Sequence, residues 1–184
     1  LQALNEFDRA VVARLEKTFP QALGQVTHRL GELTVVVDRA RLVEVCTFLR
    51  DDAALAFYLR DLSAVDLWPR SPRFEVNLHL LAIAARPQAG QGARRLRVRV
   101  CLDEHDARMP TLSGVWPSAA WYERETRELL GIDFQGHPDP RPLLLPDDWD
   151  GPPPLRRDVA ALAEEVAFSF SQERLYGSKP LARE

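Results

Sequence analysis

Cysteine is scarce in this sequence: Cys46 and Cys101 are the only two in 184 residues, each alone in an apolar stretch. Two isolated thiols make neither a disulfide framework nor a zinc site, and they cannot hold an iron-sulfur cluster that needs four. Basic excess is lacking too. With 24 Lys and Arg against 27 Asp and Glu, and a pI near 5.9, the chain has no surplus charge to neutralise a row of phosphates, which disfavours nucleic acid as a partner. No run of about 18 apolar residues is present for a membrane-spanning helix, and the first residues lack the charge-then-apolar order of a signal peptide. A soluble, cytosolic protein is expected. The chain opens on Leu1 and its one methionine is Met109, so N-terminal residues are expected to have been trimmed. Gly-x-Ser-x-Gly, His-Glu-x-x-His and Walker signatures are missing as well, leaving little support for catalysis by this chain alone.

What is present suits one α+β domain with an extension, since 46% of the residues are hydrophobic. Leu4, Phe7, Val11 and Leu15 recur at helical spacing between charged residues, and Pro20 closes that helix. GQVTHRL and ELTVVVD, parted at Gly31, read as paired strands. Asp38 is placed to cap a second helix with Leu42, Val45, Cys46 and Leu49 on one face, packed on that hairpin. The stretch from 52 to 69 fits neither period throughout and is taken as a strand ended by Pro69. RFEVNLHLLAIA then alternates Phe74, Val76, Leu78 and Leu80 with Glu75, Asn77 and His79, and RRLRVRVCL alternates likewise, so an antiparallel hairpin is predicted around RPQAGQGA. Gly90-Gln91-Gly92 lacks a third glycine and a following helix, so it is a turn and not a dinucleotide loop. Helical spacing resumes from Pro117 through Leu130, with Gly131 at the position of a left-handed cap. The segment from His137 to Asp158 then holds seven prolines in twenty-two residues, which excludes helix or central strand and suits an extended path along some surface. A short helix and tail are expected after it. The predicted organisation is a mixed, mainly antiparallel sheet with helices on one face over residues 1–135. A proline-rich partner-binding segment and tail follow over 136–184.

His28, His79 and His105 have no partner at metal-ligand spacing. Arg95, Arg97 and Arg99 line one face of a strand, either as a solvated surface or as a face for a partner's carboxylates. On the 117–130 helix, Glu123 with Arg127 and Arg124 with Glu128 are four apart, as in a surface charge lattice. Glu125 falls among Trp121, Tyr122, Thr126, Leu129 and Leu130 on the apolar face, where a carboxylate has to be paired or protonated. Glu125 and Glu128 also spell E-x-x-E, but carboxylate metal sites in bundles need further glutamates and E-x-x-H copies that this chain does not offer.

The run WYERETRELLGIDFQGHPDPRPLLLPDDW followed by PLRRD closely resembles the motif of the C subunit, the thirty-kilodalton subunit, of NADH:quinone oxidoreductase, respiratory complex I. Weaker resemblance reaches back through DLSAVDLWPRSPRFEVNLHLL and covers residues 55 to 158. The chain departs from the family pattern at GPPPLRRDVA, with proline at the histidine position, and at Pro142, where a second arginine is frequent. The resemblance implies an enzyme subunit without catalytic residues or redox cofactor of its own, the FMN and iron-sulfur clusters belonging to partners. The partners it implies are complex I subunits D, B and I. This chain would brace the arm and dock to the forty-nine-kilodalton D subunit near the quinone site, on the cytoplasmic side of the bacterial membrane. The docking residues it marks are Trp121, Glu123, Arg124, Glu125, Glu128, Gly131, His137, Pro138, Arg141, Leu155, Arg156, Arg157 and Asp158. Within that frame, Glu125 is expected to pair with Arg141 or Arg156. A homologous subunit of a membrane-bound hydrogenase, a carboxylate metalloenzyme and a pure interaction module are the alternatives.

Overall fold

The computed structural model describes residues 4–82 and 94–159. The turn expected over RPQAGQGA and the helix expected beyond Asp158 lie outside them. Helix α1 (Glu6–Thr18) begins where the Asn5 side chain accepts a hydrogen bond from Asp8 N at 2.8 Å, satisfying one of the amides a helix start leaves open. Strands β1 (Leu23–Arg29) and β2 (Glu32–Val37) follow as an antiparallel hairpin. Its two turn residues, Leu30 and Gly31, both have positive φ, 53° and 75°, the geometry that lets a two-residue turn match strand twist. Asp38 does cap, but through a 3-10 turn at Arg39–Arg41 that runs into α2 (Leu42–Asp51).

The five-stranded sheet is completed by β3 (Phe57–Asp66), β4 (Phe74–Ala82) and β5 (Arg95–Leu102), in the order β1-β2-β5-β4-β3. Only the β2–β5 pairing is parallel, so the sheet is mixed and mainly antiparallel. Phe74, Val76, Leu78 and Leu80 pack with Leu96, Val98 and Val100 on one face, against Val11 and Leu15 of α1 and Leu42, Val45 and Leu49 of α2. Alternation along each strand directs those side chains to a single side, so the helices cover that face.

The ambiguity at 52–69 has a physical cause. Leu59 pairs with Leu80 but Asp61 pairs with His79, so Arg60 is an extra residue in β3. This bulge moves the inward positions from Phe57 and Leu59 to Leu62 and Asp66, and a one-residue slip inverts any period-2 pattern read across it.

On the opposite face Arg97 pairs with Glu32, and Arg99 Nε lies 3.3 Å from Glu75 Oε2 and from Asn77 Oδ1. Part of the arginine stripe is therefore engaged within the sheet. A shallow depression of about 250 Å³ beside it is lined by Glu32, Arg60, Asp61, His79 and Arg95.

After β5 come the short parallel pair β6 (Arg108–Pro110) and β7 (Asp133–Gln135), with α3 (Ala119–Leu130) between them. Helix α3 packs along β3, where Tyr122 Oη donates to the carbonyl of the bulge residue Arg60 at 2.9 Å.

Candidate docking site

Helix α3 presents three sides, and its charged residues are distributed differently from the helical pattern. Its buried residues are Ala119, Glu123, Thr126 and Leu130. Glu123, not Glu125, is the enclosed carboxylate, at 0% exposure, while Glu125 is only partly buried and Trp121 is 59% exposed. The apolar face drawn through Trp121 is off by about one position, since Ala119, Glu123, Thr126 and Leu130 are enclosed and Trp121 turns outward.

Glu123 is held by the loop before its own helix. Its Oε1 accepts from Leu112 N at 2.6 Å and its Oε2 accepts from Thr111 Oγ1. Burial pushes its carboxyl above the usual value of 4.5, and the two donors and the nearby His137 oppose that rise without cancelling it. The His137 side chain is nearly enclosed, with Nε2 2.9 Å from Ala120 O and 3.9 Å from Glu123 Oε2. Its Nδ1 accepts from Asp139 N at 3.0 Å, so the ring proton belongs on Nε2, facing the Ala120 carbonyl.

The four residues expected to pair along the helix divide between that loop and the proline-rich arm. Glu123 turns to the loop, and the other three reach the arm. Arg124 donates to the carbonyls of Arg141 at 2.8 Å and Pro142 at 2.6 Å, and Arg127 to that of Pro140 at 2.8 Å. Glu128 accepts from Leu143 N at 2.8 Å, Leu144 N at 2.7 Å and Leu145 N at 3.3 Å. The matching follows from the backbone chemistry. Proline has no N–H, so the 138–142 stretch offers mainly carbonyls, which arginines satisfy, whereas three consecutive leucines offer amides, which a carboxylate satisfies. Positions 124, 127 and 128 share a helix face, so all three can serve one extended stretch of chain.

Arg141 is turned to solvent at 78% side-chain exposure and pairs with Asp139, its Nη2 2.7 Å from Oδ2. The expected pairing of Glu125 with Arg141 or Arg156 is therefore not formed. Arg156 Nε donates to Leu130 O at 2.8 Å and Leu155 N to Leu129 O at 2.9 Å, so the arm returns to cap the last carbonyls of α3. Gly131 makes this return possible. It sits at a φ of +74°, and a Cβ there would lie 2.6 Å from Arg156 Nη2 and 3.0 Å from Pro153 Cγ. Pro138 is exposed.

The arm ends on a buried guanidinium that the sequence pattern does not single out. Arg73, 1% exposed, donates from Nε to Asp66 Oδ1 at 3.0 Å and from Nη2 to Asp66 Oδ2 at 2.8 Å. Its Nη1 also reaches Glu104 Oε1 at 2.7 Å and Asp158 Oδ2 at 2.9 Å. Arg157 N adds a bond to Asp66 Oδ2 at 2.9 Å, and the Arg73 and Arg156 guanidinium groups both lie over the Phe74 ring. Burial would raise the Asp66 carboxyl, but the Arg73 pair and the amides of Arg157 and Trp68 carry it down to about 2.

Residues 35–165 match the sequence model of the family described as respiratory-chain NADH dehydrogenase, 30 Kd subunit. The chain belongs to that family. It is 46% identical over 176 residues to the NADH-quinone oxidoreductase C subunit of Roseiflexus sp. strain RS-1, covering 95% of this chain and 96% of that protein. It is also 39% identical to the NADH-quinone oxidoreductase C/D subunit of Pseudomonas fluorescens strain SBW25, over 86% of this chain and 27% of that longer protein. Among solved structures, the trypsin-resistant fragment (1-134) of Nqo5 covers 70% of this chain at 32% identity and a TM-score of 0.57. The fold is shared with the archaeal membrane-bound sulfane sulfur reductase, at a TM-score of 0.69 and 22% identity over 97% of this chain.

For this member of the 30 Kd subunit family, the motif residues Arg124, Glu128, Gly131, His137 and Arg156 meet at the joint between α3 and the arm, while Glu123 fastens the helix to the 111–112 loop and Asp158 fastens the arm's end to Arg73. Glu125 and the Arg141 side chain stand outside that joint, though the Arg141 carbonyl and the Leu155 amide take part in it; Trp121 and Pro138 are exposed, and the Arg157 amide bonds to Asp66. Sequence spacing does not single out Thr111, Asp66 or Arg73. The available signal for the last two is an acid and a base at opposite ends of the WPRSP turn, where a hairpin brings them together.

Proposed function

We propose that this chain acts as the C subunit of a proton-translocating NADH:quinone oxidoreductase. It docks to the forty-nine-kilodalton D subunit near the quinone site and braces the peripheral arm while electrons pass from NADH to quinone. It does so beside subunits B and I, on the cytoplasmic side of the bacterial membrane. FMN, clusters and quinone are left to the partners, and this chain supplies no catalytic residue. Family membership supports the assignment, and relatives named C/D in Pseudomonas and Acinetobacter, each far longer than this chain, support adjacency to the D subunit. Among the described residues no helix is long and apolar enough to cross a membrane, in keeping with attachment through partners.

One observation carries the docking surface. Residues 138–158 are held to α3 through polar contacts with no residue buried, while Leu144 at 61%, Leu155 at 58% and Trp121 at 59% turn outward. Leucines displayed on a proline-stiffened edge, with an exposed tryptophan on the helix that holds it, are the residue types of an interface core awaiting its cover. The carboxylate metalloenzyme reading loses its ligand pair, because Glu128 spends its oxygens on three backbone amides. Co-purification of tagged chain with subunits D and B tests the proposal, and recovery of the chain alone under conditions that keep the complex intact would overturn it.

A further inference from the structure

The path of residues 138–158 is unusual for a segment in which no residue is buried, since hydrophobic burial is the ordinary compensation for lost chain entropy. Two features replace it. Seven of these residues are prolines, whose fixed φ leaves less freedom to lose. The attachments are also concentrated at two places. Near the start Glu128 gathers three consecutive amides, Leu143 to Leu145, on a single carboxylate. At the far end, Asp158 closes on the buried Arg73 while Arg157 N and Leu155 N bond to Asp66 and Leu129.

We propose that Glu128 and Asp158 are the two ends of a clasp internal to this chain, which sets the arm in its docking shape before any partner arrives. The role assigned to the shape rests on the reading that the arm is the surface for the D subunit. Glu128 and Asp158 are positioning residues in this scheme, and neither needs to touch the partner. Glu128 fixes the register of Leu143–Leu145, which turns Leu144 outward. Asp158 fixes the far end, which turns Leu155 outward and sets where the arm meets the sheet domain again. A partner then meets an ordered apolar edge and does not bear the cost of ordering it, which raises affinity without any added contact.

Hydrogen exchange on the isolated full chain tests the clasp without a partner. The amides of Leu143, Leu144 and Arg157 should exchange at least tenfold more slowly than in an unstructured chain. Glu128→Gln, which leaves one acceptor oxygen where the carboxylate had two, should lower protection across 143–145 while the β4 and β5 amides are unchanged, and Asp158→Asn, by loosening the far end, should lower it at Arg157. Wild-type amides that exchange at the unstructured rate, or a Glu128→Gln variant that matches wild type, would overturn the clasp. Affinity for the purified D subunit is the second measurement, with at least a tenfold loss expected for Glu128→Gln. Undiminished affinity in a variant whose arm has loosened overturns the preorganising role. Intact protection in a wild-type chain that fails to bind the D subunit supports the clasp and counts against the docking reading.

Discussion

Asp158 and Arg73 are 85 positions apart in sequence, yet Asp158 Oδ2 lies 2.9 Å from Arg73 Nη1, closing the arm onto the sheet domain that it leaves at α3. The same guanidinium holds Asp66, so one buried cation ties the β3–β4 hairpin to the end of the proline-rich segment. Removing the cation strands a buried anion. Arg73→Met is expected to cost about 3 to 5 kcal/mol of stability, and Asp158→Asn, whose carboxylate is about a third exposed, much less. Chemical denaturation of the two variants measures the difference, and equal small losses would show that Arg73 is not the anchor.

Acid should loosen the same point. The Asp66 carboxyl is carried from 3.8 down to about 2 in the folded chain. Its contribution is therefore fully present above pH 4 and lost as pH falls toward 2, and amounts to about 2 kcal/mol. The stability gap between wild type and Asp66→Asn should shrink across that window, as read by thermal unfolding at pH 5, 3 and 2.

Glu123 and Glu125 are predicted to differ sharply. Glu123→Ala strips the acceptor from Leu112 N and opens a cavity in a closed site, costing about 2 to 4 kcal/mol, whereas Glu125→Ala should stay within about 0.5 kcal/mol. Glu123→Gln keeps an acceptor and separates charge from shape. Because burial raises the Glu123 carboxyl above 4.5, the fold favours its protonated form. That contribution is complete below pH 4.5 and declines as pH rises through the raised value, so wild type should lose ground to Glu123→Gln on going from pH 4.5 to 7. A pH-independent gap between the two proteins would contradict this.

Gly131→Ala combines two penalties, a left-handed backbone worth about 1 to 2 kcal/mol and a methyl group 2.6 Å from Arg156 Nη2. The variant should melt lower and also release the arm, seen as faster tryptic cleavage at Arg156 and Arg157. Lower melting with unchanged cleavage would mean that the arm tolerates the added methyl.

Docking to the D subunit should respond to the outer face and not to the fold. Leu144→Asp, at a 61% exposed position, is expected to leave the melting temperature within about two degrees and to reduce co-purification with the D subunit at least tenfold. Retained co-purification would move the interface elsewhere on the chain.

Periodicity made most of the elements legible, because a half-buried strand or helix writes its buried face at period 2 or 3.6 whatever its neighbours are. The strands around Val76 and Val98 and the helix ending at Gly131 were recoverable in this way, and the proline-rich arm from its proline content, which leaves no regular helix or strand open to it. At β3 the pattern failed at Arg60, since a bulge leaves no local trace until the partner strand is known. The long motif from Trp121 to Asp158 also identified the family, since a run of that length with ordered spacing is specific without any coordinates.

Tertiary structure alone decided what each charge does. Along an isolated helix Glu123, Arg124, Arg127 and Glu128 have neighbours four residues away, and only the arrival of the 111–113 loop and the arm gives them better partners. Which carboxylate is enclosed depends on how α3 is rotated against β3, a choice made by the whole packed face and not by any local spacing. Arg73 and Asp158 could not be paired from sequence, because their approach is produced by the path of the chain between them. The residue types, the proline stiffness and the cap glycine were written in the chain; the assignment of donors to acceptors was settled only when the arm closed.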